Sequence, residues 1–330
     1  MYQYYLDTFL NWANKDAESL LFLGQSDLDT LLQDYLFHLK KTLSPNSIGP
    51  RLAAIGKFLI VNDKTFNSKK LKLLMPEKVK IQGGTAWQTG DLAKMIEFAD
   101  TAKSKALIHV LAASGCRPGG LVSLKFKDVS DMPEGCKALV FYAGSKWEYV
   151  GFIHHEAAKA LDEYIEKRQT DGEMLRQESF VFSSPSSLLT KPRSLTEKDI
   201  YAIVLNVVNK AGLKRTKQGH RYNIPIITGI RKRFNTILKS NPNVSYAIAE
   251  RLFDHRTNLE AHYLDTPREK LFEEYKKAIQ QLTIDEKERL RIENQKKDQE
   301  LKQAQDKDKL LSEMQDRLSE LEAKLKRQHI

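Results

Sequence analysis

Arg117, Lys146, Arg231, His255 and Tyr263, in that order along the chain, are side chains of the types that could break a phosphodiester without a metal ion. Two guanidiniums can neutralise a phosphate crowding toward five oxygens, and an ammonium can protonate the departing sugar oxygen. An imidazole can hydrogen-bond the phosphoryl group, and a phenol can attack it. Such a set points to DNA strand transfer. Each member also has a plainer reading taken alone, Lys146 as a solvated turn lysine and Arg117 as one more arginine in a glycine-rich turn.

The surrounding sequence says what must hold each of them. An apolar helix around residues 106–113 runs into SGCRPGGLVSLKFKDV, where Gly115, Pro118, Gly119 and Gly120 interrupt regular structure, so Arg117 is expected to project from a turn at a helix end. Two β-like runs, ALVFYA at 138–143 and YVGFI at 149–153, flank GSKWE and read as a hairpin with Lys146 at its tip. There a lysine on its flexible stem can swing into a groove and deliver a proton. After Pro225, Ile230, Phe234 and Ile237 share one face of a helix, which puts Arg231 near an N-terminus whose free N–H groups attract phosphate. A helix from Ser245 to Phe253 leads to DHRTNLEAHYLD, which carries His255 and Tyr263. Further helices are read over 155–168 and about 197–212, and one beginning near Asp91 with Thr89 as its cap.

The chain has 330 residues and a formal charge of +10, which favours a polyanionic partner and leaves an anionic membrane as the alternative. Residues 1–35 carry about −5 and residues 36–80 about +8, so the basic surface begins near Lys40. Tyr5, Phe9 and Trp12 repeat at helical spacing, as do Leu28, Leu31, Leu32, Tyr35 and Leu36. Ser44 is read as an N-cap with Pro45 at the first helical position, ahead of an apolar stripe at Ile48, Leu52, Ile55 and Leu59 beside Arg51 and Lys57. KKLKLLMPEKVKIQGGTAW is read as a basic linker ending near residue 84. The loop KRTKQGHRYN supplies Lys214, Arg215, Lys217 and Arg221 for phosphate contacts, and Lys40, Lys41, Arg51, Lys57, Lys232 and Arg233 join them as DNA-binding candidates. Cys116 and Cys136 lack metal-ligand spacing and are expected reduced and structural. His154-His155 has no carboxylate or cysteine at ligand spacing, so no metal and no cofactor are expected. The start lacks a signal peptide and no run of about 18 apolar residues occurs, so the expectation is a soluble, cytoplasmic, nucleoid-associated protein with no membrane partner.

RPGGLVSL, the lysine hairpin, GIRKRFNTIL and the stretch from His255 to Tyr263, in this order and at these separations, resemble the tyrosine recombinase (phage integrase) family, most of all the integrases of archaeal mobile elements. The resemblance spans roughly residues 85–280. It implies a mainly α fold with a small antiparallel β-sheet: a helical core-binding clamp over 1–82 and a catalytic DNA breaking-rejoining domain over 83–284, while residues 285–330 are read from their own composition as a charged helix or short coiled coil. It also implies roles. Arg117 and Arg231 match the two arginines that grip the scissile phosphate, Lys146 the general acid for the 5′ oxygen, His255 the histidine that hydrogen-bonds the phosphate, and Tyr263 the nucleophile that becomes a 3′-phosphotyrosine. The implied partner is double-stranded DNA, held by two domains closing round the duplex, with a homotetramer in the synapse. Two alternatives stay open: a Xer-like or topoisomerase-like strand transferase, and a weakly active or inactive DNA-binding accessory factor.

Three positions depart from the family pattern. Thr228 stands where a histidine usually precedes the second arginine, and its hydroxyl is a poor proton acceptor that can still bond a phosphate. Gly120 stands where a carboxylate commonly orients the first arginine. Asp254 replaces the usual glycine before His255, either perturbing that histidine or pointing to solvent. Competing tyrosines are read as core, Tyr246 among apolar neighbours and Tyr275 on a stripe with Leu271, Phe272 and Ile279. His262 is read as a surface or packing residue. Trp147 could stack on a base, although hairpin aromatics usually pack on their own sheet. Beyond Leu282 the chain lacks Gly and Pro and reads as a long solvated helix, with Leu311, Met314, Leu318, Leu321 and Leu325 spaced as a coiled-coil seam. Self-association through that seam competes with a single helix folded back on the catalytic domain.

Overall fold

The structure, a computed structural model, describes residues 2–78, 84–184, 193–218, 221–254 and 267–328. The chain divides into two compact units, residues 1–83 and 84–330.

The first unit is helical: α1 (Tyr2–Ala13), α2 (Ala17–Phe22), α3 (Gln25–Thr42), α4 (Pro45–Val61) and α5 (Ser68–Leu74). Its core takes Phe9 from α1, Leu20 from α2, Leu28, Leu32, Tyr35 and Leu36 from α3, and Ile48, Ile55 and Leu59 from α4. These are the positions that recur at three and four residues. Phe9 and Trp12 each lie 4.9 Å from the Tyr35 ring, centroid to centroid. Ser44 occupies the N-cap position of α4 with Pro45 following, but its hydroxyl bonds Ser47 Oγ at 2.9 Å and makes no cap to the backbone. The reading of a linker from residue 69 to near 84 began too early. KKLKLL belongs to α5, capped by Asn67 through Lys70 N and tied to α3 where Asn67 N donates to Asp29 Oδ1 at 2.6 Å. Just past that end, Trp87 is core of the second unit, its Nε1 donating to Ile226 O at 2.9 Å.

The second unit comprises α6 (Thr89–Glu97), α7 (Ala102–Ser114), α8 (Pro118–Ser123), β1 (Val129–Met132), β2 (Cys136–Phe141), β3 (Tyr149–Ile153), α9 (His155–Thr170), α10 (Glu197–Lys210), the two-residue strands β4 (Lys217–Gln218) and β5 (Arg221–Tyr222), α11 (Ile226–Ser240), α12 (Tyr246–Leu252), α13 (Arg268–Lys276), α14 (Ile279–Leu282) and α15 (Glu286–Gln328). It is mostly helical, with a three-stranded antiparallel sheet in the order β1-β2-β3. The helix start near Asp91 is corrected: Thr89 is already helical, Gln88 is the cap residue, and Asp91 accepts from Gln88 N at 2.9 Å. β1, absent from the sequence reading, is only four residues with a mixed burial pattern. Too short for an alternating signal of its own, it forms by pairing with β2, Val129 opposite Leu139.

The period-2 alternation of β2 and β3 places the sheet between two apolar clusters. Leu139, Phe141 and Ile153 face a cluster built on α7, α9 and α10, while Cys136, Ala138 and Phe152 face a cluster built on α11 to α14. α7 is buried from Ala106 to Ser114, so it runs through the centre of the unit. It stops at Gly115, which has φ +59°, and whose absent Cβ would collide with the Phe234 ring of α11. Only glycine meets both demands there. Tyr275 is core as expected, its hydroxyl donating to Ala113 O at 2.9 Å. Tyr246 is not: as the first residue of α12 it is 65 % exposed, with Lys239 Nζ 4.9 Å from its ring centroid. Among the described residues, no helix is long and apolar enough to cross a membrane.

Candidate active site

Arg117 follows the left-handed Gly115 and the buried Cys116 and occupies the N-cap position of α8, as the turn-forming glycines and Pro118 require. Burial pushes the Cys116 thiol up to about 11, so it stays protonated and inert beside the arginine. Arg231 lies in the second turn of α11, past the free N–H groups of its N-terminus, and two backbone carbonyls from other segments hold it. Its Nη1 donates to Gly115 O and its Nη2 to Phe253 O, and the Phe253 ring lies 3.8 Å from the guanidinium carbon. Burial, together with the charge of Arg117, lowers the Arg231 pKa from its ordinary value; an arginine nevertheless keeps its proton.

Asp254 closes the arrangement. It sits just past α12 with φ +55°, its amide donating to Arg251 O at 3.0 Å. Its carboxylate pairs with Arg117 Nη1, and its carbonyl oxygen lies 3.5 Å from Nη2. The side chain of Asp254 is 4 % exposed and that of Arg117 43 %. Consecutive residues at the C-terminal end of α12 thus hold both arginines, Phe253 gripping Arg231 and Asp254 gripping Arg117. The sequence left two directions open for Asp254, toward His255 or toward solvent, and its actual partner lies 137 residues away. A signal was present: a carboxylate missing at Gly120 and one added at Asp254 are complementary departures.

The hairpin carries Lys146 on an exposed turn, where its Nζ lies 5.1 Å from the Trp147 ring centroid. Trp147 is exposed rather than packed on the sheet. Gly144 N donates to Glu148 Oε2 at 2.6 Å and Ser145 N to Tyr142 O at 3.0 Å, which shapes the turn. At the hairpin root, Tyr142 and Tyr149 feel the charges of both arginines, yet burial dominates and raises both phenols above their ordinary range. Neither tyrosine was a candidate in the sequence. Thr228 is exposed one helical turn before Arg231 on α11. His255, Tyr263 and His262 lie outside the described residues.

The basic candidates separate by environment. In the first unit Lys40 and Lys41 are exposed in the last turn of α3, Arg51 stacks 5.0 Å over Tyr5, and Lys57 lies 5.4 Å over Tyr2. In the second, Lys214, Lys217 and Arg221 are exposed around the β4-β5 hairpin and Arg215 stacks 4.2 Å over Tyr222. Lys232 is half-buried and donates to Gly84 O. Arg233 corrects the expectation of a phosphate contact. It is buried and donates to Thr89 Oγ1 at 3.0 Å, Gln281 O at 2.9 Å and Leu282 O at 3.2 Å, which joins α6, α11 and α14. Of the expected inert pair, His154 is buried and His155 Nε2 lies 3.0 Å from Glu288 Oε1. Among the described residues, no cluster of three or more His, Cys, Asp or Glu could hold a metal ion.

The model of the phage integrase family matches residues 88–261, more than half of the chain. A search of curated proteins found no match. Solved structures share the fold at low identity. The Tn1549 transposon integrase in complex with a circular intermediate DNA aligns with a TM-score of 0.52 and 14 % identity, over 83 % of this chain and 98 % of that one. XerH site-specific recombinase bound to its difH substrate aligns with a TM-score of 0.51 and 18 % identity, over 69 % and 64 % of the two chains. A lambda integrase dimer bound to a core site aligns with a TM-score of 0.50 and 14 % identity, over 81 % and 90 %. With the matched segment enclosing both arginines, the lysine hairpin and the end of α12 that holds the arginine pair together, the chain belongs to the phage integrase family.

Proposed function

We propose that this protein is a site-specific DNA recombinase that cleaves and rejoins duplex DNA through a 3′-phosphotyrosine on Tyr263, in the integration and excision of a mobile element of archaeal type. The convergence of Arg117 and Arg231 on Phe253 and Asp254, immediately before His255, carries this reading. Tyr263 Oη attacks phosphorus while its proton passes to solvent, and the bond to the 5′ oxygen breaks as Lys146 protonates that oxygen. Arg117 and Arg231 neutralise the negative charge that builds on the non-bridging oxygens, assisted by His255 and the Thr228 hydroxyl. A phenol titrating near pH 10 attacks faster where two guanidiniums favour its anion. The covalent bond conserves the energy of the phosphodiester, so a free 5′ hydroxyl reverses the step without ATP.

Residues 1–82 act as the DNA-binding clamp and residues 83–284 as the catalytic domain. Lys40, Lys41, Arg51, Lys57, Lys214, Arg215, Lys217 and Arg221 contact phosphates, and four protomers form the synapse. The fold shared with recombinases and integrases solved on DNA supports this partner. The deciding experiment uses a suicide duplex built from the DNA flanking the gene: wild-type protein forms a covalent adduct and Tyr263→Phe forms none. Absence of an adduct on a site the protein binds would favour the accessory-factor reading. An adduct formed by Tyr263→Phe would move the nucleophile elsewhere, the exposed Tyr246 being the first place to look.

A further inference from the structure

We infer that Asp254 is a positioning residue for Arg117, supplying from the end of α12 the carboxylate that Gly120 lacks; this rests on Arg117 gripping the scissile phosphate. Three observations carry it. The first is the asymmetry of the pair, with the Asp254 side chain 4 % exposed and that of Arg117 43 % exposed. The carboxylate is enclosed by protein while much of the Arg117 side chain stays accessible to an incoming phosphate. The second is the backbone at Asp254, whose φ of +55° is a conformation that glycine adopts without strain and most residues avoid. Glycine is the family's usual residue here, and aspartate is one of the few others that tolerates this region, so the backbone admits the carboxylate where most side chains would be strained. The third is the space at Gly120, where a Cβ would lie 3.1 Å from Phe141 Cδ1 and 3.4 Å from its Cβ and Cγ. Phe141 is fully buried in the cluster with α7, so a side chain at the customary site of the orienting carboxylate would have to displace that ring by a few tenths of an ångström.

An arginine on a half-exposed stem samples many rotamers, and holding it before the substrate arrives removes that ordering cost from the reaction. Asp254 does this for Arg117, while Phe253 O and Gly115 O do it for Arg231. The end of α12 therefore sets the spacing of the two guanidiniums.

The test uses full-length protein and the suicide duplex above, in single turnover at saturating protein. Asp254→Gly suits the local backbone and Asp254→Asn keeps the side-chain shape, so neither should unfold the chain. Both should cleave about tenfold or more slowly than wild type with DNA affinity unchanged, and Asp254→Glu should recover part of the rate. On a duplex with a methylphosphonate at the scissile position, one non-bridging oxygen and its charge are gone. The deficit of the Asp254 variants should shrink there, which a general loss of structure would not produce. Equal or faster cleavage by Asp254→Gly and Asp254→Asn would overturn the inference and make Asp254 a bystander or a plug on Arg117. Should wild type form no adduct, the functional reading fails separately and thermal unfolding decides the pairing. Asp254→Asn should lower the midpoint in the wild-type background and leave it unmoved in Arg117→Ala; equal shifts in both would sink the inference.

Discussion

Neighbouring arginines on α11 show how far a residue's type is from its task. Arg231 and Arg233 are two positions apart, point to different sides of the helix, and are both buried, yet one reaches the end of α12 and the other the end of α14. Arg233→Ala strips a donor from Gln281 O and Leu282 O, and unfolding in denaturant should show a loss of about 1–3 kcal/mol while the salt dependence of DNA binding stays as it was. Arg221 on the β4-β5 hairpin is exposed and should behave in the opposite way. Arg221→Ala should leave stability untouched and reduce the slope of log affinity against log salt by about 1, read from binding titrations at several salt concentrations. In the sequence both residues were basic candidates, because composition reports charge and says nothing of which side of a helix meets a neighbour.

At the scale of elements, the packing of α7 against α9 buries two histidines that carry no charge at neutral pH. Burial lowers His109 on α7 to about 4, and burial, with neighbouring His155, His109 and Arg233, drives His154 at the start of α9 well below its ordinary 6.5. An unfolded histidine takes a proton first, so the stability gained by keeping these rings neutral is complete above about pH 6.5. It is lost as pH falls from there toward about 4 for His109, at about 1.4 kcal/mol per unit for each ring. Denaturant midpoints measured across that window should fall with pH, and His109→Leu should flatten the fall. The helices that bury these rings follow apolar periodicity and were legible in advance. The opposing faces that close over each ring come from distant segments, and local sequence does not record them.

At the scale of the whole molecule, α15 is a single helix of 43 residues, about 65 Å long at 1.5 Å per residue. Its base is fastened: Glu156 of α9 accepts from Ile284 N and Asp285 N at 2.8 and 2.9 Å, and Glu288 pairs with His155. Further along, Leu311, Met314 and Leu318 are 58, 56 and 57 % exposed. Those three residues do not fold back on the catalytic domain, and their alternating spacing of three and four suits a second copy of the same helix. Light scattering should therefore find the full chain as an oligomer and a chain lacking residues 300–330 with its mass reduced to that of a monomer; an unchanged oligomer would refute the seam.

The sequence by itself determined the order of the elements around the site, because caps, turn glycines and apolar repeats act within a few residues. It placed Arg117 in a turn at a helix end, Lys146 in a hairpin turn and Arg231 on a helix, and the order of these motifs carried the family. Tertiary structure alone decided what each side chain touches. Asp254 meets Arg117 across 137 residues, Arg233 is spent on the carbonyls of α14, and Tyr246 faces outward at the first turn of its helix. Those outcomes depend on which surfaces meet when the helices pack, and the physical reason they escape the sequence is that packing is a property of pairs of distant segments.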